Sequence, residues 1–289
     1  MTFHDISDVL LDGLLDSLEI LPFLFVTYLV MEWIEHRTGD GVEKAVAKAG
    51  KLGPLVGGAL GLVPQCGFSA MAAGLYAGRV VSVGTVLAVF LATSDEMIAV
   101  LLGEHIAAHK IFIILGIKFT VAVLMGFLAD LILRRRREPL QVEHFCHEEH
   151  CHCEHGILRS ALRHTLQIFA FVLLFNLLLG FLLELWGEDN MAALMRDTPV
   201  LGECIAALIG LVPNCAASVA IATMYARGVI SAGAMLAGLL TGAGAGLLVL
   251  FRTSRNIKVC IAFPVALYVI GVGVGTLFHV TGLAAAWGL

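Results

Sequence analysis

The fold is decided by a stretch of sequence that occurs twice. Residues 61–102 read GLVPQCGFSAMAAGLYAGRVVSVGTVLAVFLATSDEMIAVLL, and residues 210–251 read GLVPNCAASVAIATMYARGVISAGAMLAGLLTGAGAGLLVLF. The two copies align without gaps at a constant offset, because 210 − 61 and 251 − 102 both equal 149. About 17 of the 42 aligned positions are identical, which is more than shared apolar composition would produce. The chain is therefore predicted to consist of two related halves.

Each copy is interrupted by a Pro-x-Cys sequence, at Pro64–Cys66 and at Pro213–Cys215. The apolar segments on either side are about a dozen residues long, which is too short for a helix to cross a bilayer. Proline also disrupts a helix at its own position. Each copy therefore fits one of two structures: a re-entrant helical hairpin with its tip at the break, or one long helix that is kinked there.

The composition places both copies in a membrane. Of the 289 residues, 59% are hydrophobic and only 14% are charged, and the mean hydropathy is +0.91. A soluble protein carries about 25% charged residues. The segments Val229–Phe251 and Val259–Phe278 contain no charge and are long enough to cross a bilayer. The predicted fold class is an all-α integral membrane protein.

The basic residues choose between the two structures, because Lys and Arg are enriched in cytoplasmic loops. With the acidic N-terminus outside, the hairpin puts Arg134–Arg137 and Arg252 inside, whereas the kinked helix would put Arg134–Arg137 outside. Arg196 and Arg227 are the exceptions. Each half then has three full transmembrane helices and one re-entrant hairpin, giving about ten helical segments. Because three crossings is an odd number, the second half is an inverted-topology repeat, and both termini are predicted to lie outside.

Three regions follow from this topology. Residues 1–133 form the first transmembrane repeat, 134–162 a cytoplasmic His/Cys-rich loop, and 163–289 the second, inverted repeat. The loop contains EHFCHEEHCHCEH, whose donors suit soft and borderline metals and are spaced more densely than a folded zinc site needs. We expect it to bind a divalent metal as a buffering or delivery tract. The candidate metal ligands are His144, Cys146, His147, His150, Cys151, His152, Cys153 and His155.

The two Pro-x-Cys tips are the first candidate site. Each begins a half-helix whose free N–H groups and dipole favour a thiolate or a bound anion. If inverted symmetry brings the tips together, the two thiols with nearby amide and hydroxyl oxygens would suit a soft substrate. The alternative is that each cysteine is a small buried packing residue. The candidate substrate-binding residues are Gln65, Cys66, Ser69, Asn214, Cys215 and Ser218.

An acidic pair is the second candidate site. Asp95 and Glu96 lie in the latter part of the helix that is predicted to start near Val80, and an acid at membrane depth is costly unless it has a function. The second half has Gly244–Ala245 at these positions. We interpret the pair, assisted by Thr93 and Ser94, as a cation-binding or proton-coupling site. The alternatives are a position at the outer interface or a structural ion pair with Lys118, which is itself a weaker candidate, as is His279.

At these residues the chain resembles a known family. The paired breaks GLVPQCG and GLVPNCA, the runs GRVVSVG and GVISAG that follow them, and FLATSDE are similar to the ten-helix heavy-metal exporter family, whose members are labelled arsenic efflux proteins or manganese transporters. The pattern is also distantly similar to the organoarsenical permeases. The resemblance covers nearly the whole chain and implies ten helices. The second break departs from it slightly, with Ala216 in place of the Gly67 of the first break.

The expected function is that of a secondary active transporter, not an enzyme, which exports a heavy-metal or metalloid ion across the cytoplasmic (inner) membrane. Thiols favour trivalent arsenic, whereas carboxylates favour manganese or another divalent metal. One alternative is an oxyanion or organic-anion permease that uses the half-helix N-termini. Another is a membrane-anchored metal sensor that acts through the His/Cys loop.

The expected partners are the lipid bilayer and the metal or metalloid ion, with no nucleic acid. The metal is expected as the substrate, bound also by the loop, and no cofactor is required. The sequence leaves proton coupling and a homodimer open.

Overall fold

The structure is a computed structural model. It describes residues 52–133 and 200–283 almost completely, and single residues or pairs of residues in the segments 11–29 and 162–181. The described residues are 11, 14–15, 18, 21–22, 25–26, 29, 52–63, 66–78, 80–94, 97–133, 162, 165–166, 169–170, 173–174, 177–178, 181, 200–254 and 257–283. Over these residues all regular structure is helical, which confirms the all-α class.

Ten helices have bounds in the described regions, five in each half. Those of the first half are α1 (Gly53–Gly61), α2 (Cys66–Ala77), α3 (Val83–Ala92), α4 (Met97–Gly103) and α5 (Ala108–Leu133). Those of the second half are α6 (Leu201–Gly210), α7 (Cys215–Ala226), α8 (Ala232–Thr241), α9 (Ala245–Thr253) and α10 (Ile257–Thr281). The offset of 149 relates α2 to α7 and α3 to α8 residue for residue, so it applies to the helices as well as to the sequence.

Serine caps fix the start of α3 and α8 at equivalent positions. The Ser82 hydroxyl accepts the Thr85 N–H at 3.1 Å, and the Ser231 hydroxyl accepts the Ala234 N–H at 3.0 Å. The first N–H groups of a helix have no partner within the helix, so a side-chain acceptor at this position stabilises its first turn.

The helix predicted to start near Val80 is not continuous, and neither is its equivalent in the second half. In the first half, helix α3 ends at Ala92 and α4 begins at Met97. In the second half, α8 ends at Thr241 and α9 begins at Ala245, with Gly244 at a positive φ of 52°. The prediction of an uninterrupted helix was therefore wrong. Each half contains two breaks, one at the Pro-x-Cys tip and one in the segment that follows it.

Within the described residues, four segments are long and apolar enough to cross a membrane: Val83–Gly103, Ala108–Leu133, Ala232–Thr253 and Ile257–Thr281. The two broken segments, α3–α4 and α8–α9, are 69% and 94% buried in their most apolar stretches, whereas the continuous helices α5 and α10 are only 33% and 22% buried. The broken helices therefore form the interior of the molecule. The continuous helices present most of their apolar surface outward, as helices in contact with lipid do.

Each pair of packed helices in the first half has a counterpart in the second. Helices α1, α3 and α5 contact one another, as do α6, α8 and α10. The halves also exchange contacts: α2 packs against α9, α7 packs against α4, and the broken helices meet where α3 contacts α8. The core is consequently built from both halves together.

Small residues allow the closest of these contacts. Gly84 of α3 lies against Gly126 of α5, and the equivalent glycines Gly233 and Gly275 bring α8 against α10. A Cβ on Gly126 would lie 2.7 Å from the Gly84 carbonyl oxygen, and one on Gly275 would lie 2.5 Å from that of Gly233. Close backbone approach through small residues is the usual means by which membrane helices associate.

Candidate functional site

The two breaks that follow α3 and α8 lie at the centre of the packed core. Thr93 and Ser94 are buried, and Thr241 at the end of α8 is fully buried. The Thr93 hydroxyl donates to the Val89 carbonyl at 2.7 Å, and the Ser94 hydroxyl donates to the Ala92 carbonyl at 3.0 Å. These two hydroxyls thus satisfy carbonyls of their own helix end, and the Thr93 carbonyl is left to accept from another element.

That element is α5, which contributes Lys118. The lysine is fully buried, and its Nζ donates to the Thr93 carbonyl and to the Leu239 carbonyl, both at 2.6 Å. Thr93 caps the C-terminus of α3, and Leu239 lies in the last turn of α8. Carbonyls at a helix C-terminus carry partial negative charge, so one ammonium ion joins two helix ends that belong to different halves.

The two serines of the tip helices lie against the break of the second half. A Cβ on Gly242 would be 3.3 Å from the Ser218 Oγ of α7, and a Cβ on Gly246 would be 2.7 Å from the Ser69 Cβ of α2. Both serines are buried. The predicted tip residues Ser69 and Ser218 are therefore brought next to the break of the second half.

The second tip is capped by its own asparagine. The Asn214 Oδ1 accepts the Ala216 N–H at 2.8 Å at the start of α7. Cys215 is buried and belongs to an apolar cluster with residues such as Phe90 and Phe263. The amide oxygen predicted to face a substrate is thus in contact with the helix terminus. The cysteine has the apolar neighbours that its interpretation as a packing residue requires, so these contacts leave both interpretations of it open.

Several predicted site residues lie outside the described residues. They are Gln65, Asp95, Glu96 and all eight candidate ligands of the His/Cys loop, and of Cys66 only the membership in α2 is described. Among the residues that the structure does describe, no three His, Cys, Asp or Glu side chains converge on a common point.

Two buried ionisable groups received too little weight in the sequence analysis. Lys118 was a weaker candidate, and Glu203 of α6 was missed, although its side chain is only 2% exposed and its Oε1 lies 2.9 Å from His279 Nδ1. The two atoms are at ion-pair distance without the alignment of a hydrogen bond. The repeat contains a signal for both residues. At the offset of 149, Lys118 aligns with Leu267 and Glu203 aligns with Pro54, so each ionisable residue stands where the other half has an uncharged one.

Comparison with known protein families identifies a family of membrane proteins. Residues 5–190 match the family described as "Putative, 10TM heavy-metal exporter", and this match covers well over half of the chain. The chain belongs to this family. The match includes the first half and the His/Cys loop, while the second half is connected to it by the internal repeat. The heavy-metal exporter family is the one indicated by the sequence motifs, and it supports metal transport in general by a multi-pass membrane protein. No curated protein and no solved structure is significantly similar to the chain.

Proposed function

We propose that the protein is a secondary active exporter of a heavy-metal or metalloid ion in the cytoplasmic (inner) membrane, with the two halves in inverted topology and both termini outside. One observation carries the proposal: two broken helices, α3–α4 and α8–α9, meet in the buried core where the halves join. Broken helices at equivalent positions of two repeats are typical of transporters whose substrate binds near the membrane midplane. Family membership supplies the class of substrate.

An ion pair supports the proposed topology. Arg227 follows α7 and lies 3.4 Å from Glu104, which follows α4. Arg227 was an exception to the enrichment of basic residues inside, and its contact with Glu104 requires the two residues to lie on the same face. The proposed arrangement puts both residues on the outer face.

The proposed site is the region where the tips meet the breaks. It comprises the hydroxyl groups of Ser69 and Ser218, the Cys66 and Cys215 thiols, and the carboxylates of Asp95 and Glu96, which directly precede α4 in the chain. Thiolates would select trivalent arsenic, and carboxylates would select manganese or another divalent ion. Proton coupling through the carboxylates is part of the proposal, and the metal ion is the substrate rather than a cofactor.

The test is a metal panel in a host that lacks its own exporters. Cells expressing the protein are challenged with manganese, zinc, nickel, copper and arsenite, and their metal content is measured. We expect the content of one ion to fall several-fold relative to cells with an empty vector. If the content of every ion is unchanged, the proposal is wrong.

Two matched substitutions then distinguish the ligands. For a thiophilic substrate, Cys66→Ser with Cys215→Ser should abolish export, and the control Cys204→Ser with Cys260→Ser should preserve it. For a divalent substrate, Asp95→Asn with Glu96→Gln should abolish export, and Glu104→Gln, which changes an exposed carboxylate, should preserve it. Export that survives both site variants would remove these residues from the site.

The buried Lys118 favours one further candidate function. A positive charge beside the break, together with the N-termini of the half-helices α2 and α7, would attract an anion, so an oxyanion or organic-anion permease is the second candidate. Anion export should survive the double cysteine substitution. Deletion of residues 143–155 tests the sensor alternative, because an exporter should retain most of its flux whereas a sensor that acts through the loop should lose all response.

A further inference from the structure

The strongest feature outside the predicted site is the position of the Lys118 ammonium group. Its Nζ lies 2.6 Å from the Thr93 carbonyl at the end of α3 and 2.6 Å from the Leu239 carbonyl at the end of α8. These distances are as short as those of charged hydrogen-bond donors. Lys118 itself belongs to α5, so three helices from both halves meet at one nitrogen atom.

The chemistry of this position is that of a cation site. Two helix C-termini direct carbonyl oxygens and the negative ends of their dipoles to the same point. In broken-helix transporters, such carbonyl groups hold the coupling cation. Here the point is occupied by a covalently attached ammonium ion, and Lys118 is fully buried. A buried charge is tolerated only where such compensation exists.

The repeat shows that the lysine is specific to one half. Its equivalent on α10 is Leu267, which is also fully buried. An apolar side chain therefore fills this position of the fold, and packing alone does not explain why the first half has a charged residue there. The Thr93 and Leu239 carbonyls are two acceptors that this charge contacts directly.

From these contacts we infer that Lys118 is a tethered cation, which occupies a monovalent cation site formed by the C-termini of α3 and α8 and holds the two halves together there. The inference goes beyond the proposed function, because it concerns the resident charge of the core and holds for any exported ion. Removing the side chain beyond its Cβ should leave a site that takes a small alkylammonium ion from solution.

The test uses the purified full-length protein in mild detergent and measures its unfolding temperature. The substitution Lys118→Ala removes three carbons and the ammonium group, which n-propylammonium replaces. We expect n-propylammonium at ten times its dissociation constant to raise the unfolding temperature of Lys118→Ala by about 2–4 °C. Equal concentrations of n-propanol, which has the shape without the charge, and of tetramethylammonium, which cannot donate a hydrogen bond, should produce no such shift.

The matched control is Leu267→Ala, which opens a cavity at the equivalent buried position without removing a charge. It should show no preference for n-propylammonium over n-propanol, because its apolar cavity offers the ammonium group no compensation. The inference is overturned if Lys118→Ala shows no preference for the ammonium compound, or if Leu267→Ala shows the same preference.

A second pair of variants covers the case in which Lys118→Ala does not fold. Lys118→Met keeps most of the side-chain volume and removes the charge, and Leu267→Met makes a similar change of shape in the other half. We expect Lys118→Met to lose far more stability or yield than Leu267→Met, because two buried carbonyls lose their donor. A Lys118→Met protein as stable as the wild type would overturn the inference. Because these measurements do not involve transport, they are independent of the metal panel.

Discussion

At the scale of single residues, each half places a carboxylate beside the start of its broken helix, but takes it from a different helix. In the first half, Asp130 of α5 accepts the Ser82 hydroxyl at 2.7 Å and the Gly84 N–H at 2.9 Å. The equivalent position on α10 is His279, and the carboxylate there comes from Glu203 of α6, close to α8. Both broken helices therefore have a carboxylate near the N-terminus, where a negative charge is favourable, but α5 supplies it in the first half and α6 in the second.

The two serine caps should therefore differ in their effect on stability. Ser231→Ala removes one cap and should lower the free energy of unfolding by about 1 kcal/mol. Ser82→Ala should cost about 1–3 kcal/mol more, because the Asp130 carboxylate loses a hydrogen-bond donor in a partly buried position. Denaturant unfolding of the two variants in the same detergent tests this order. Equal losses would show that the contact between Ser82 and Asp130 contributes nothing to stability.

The pair of Glu203 and His279 should show energetic coupling. Substituting His279→Ala removes the imidazole that lies nearest to the Glu203 carboxyl group, while Glu203→Gln replaces that carboxyl group with an amide. Because the histidine side chain is 37% exposed and solvent screens the interaction, we expect a coupling energy of about 1 kcal/mol in a double-mutant cycle. Additive effects would mean that the two groups are neighbours without a significant interaction.

At the scale of the helices, the sequence predicted the tip breaks and missed the breaks that follow them. A proline marks the tip break in both halves, and α1 and α6 end just before it. Thr93–Ser94 and Gly242–Gly244 contain no proline and lie in long apolar runs, which indicate a membrane span by hydropathy alone. Such breaks depend on the contacts between α3 and α8 and on the donor that Lys118 supplies from α5. Those interactions join residues far apart in the chain, so local patterns do not reveal them.

The contact between α2 and α9 should be sensitive to one added methyl group. A Cβ on Gly246 would lie 2.7 Å from the Ser69 backbone carbon, which cannot move without displacing α2. We expect Gly246→Ala to lower the unfolding temperature by several degrees and to reduce metal export at least several-fold. Gly273→Ala, on an open face of α10, is the control and should preserve both, because nothing lies within 4 Å of the added atom. Normal stability and export in Gly246→Ala would contradict the close approach of the two helices.

At the scale of the whole molecule, the equivalent packing of the two sets of five helices agrees with the sequence repeat. The repeat was visible in the sequence because its offset stays constant over both copies. The orientation of the halves relative to the membrane depends on loop charges and is a proposal. The exchange of helix contacts between the halves was not predicted, because it follows from how the two copies pack and not from either copy alone.

The inverted topology can be tested at two equivalent points of the repeat. An epitope tag inserted after Glu104 follows α4, and a tag after Thr253 follows α9 at the same position of the second half. We expect antibody to reach the first tag in intact spheroplasts and the second only after the membrane is permeabilised. Equal accessibility of both tags in intact spheroplasts would show that the halves run in the same direction.

The packing of α2 on α9 and of α7 on α4 also has a consequence for synthesis. The ribosome delivers the first half into the bilayer before α7 and α9 exist, so α2 and α4 enter the membrane without the helices that cover them in the finished protein. Helix α2 is also too short to cross the bilayer alone. During biogenesis, the insertion machinery or neighbouring lipid must therefore cover these helices until the last third of the chain has been made.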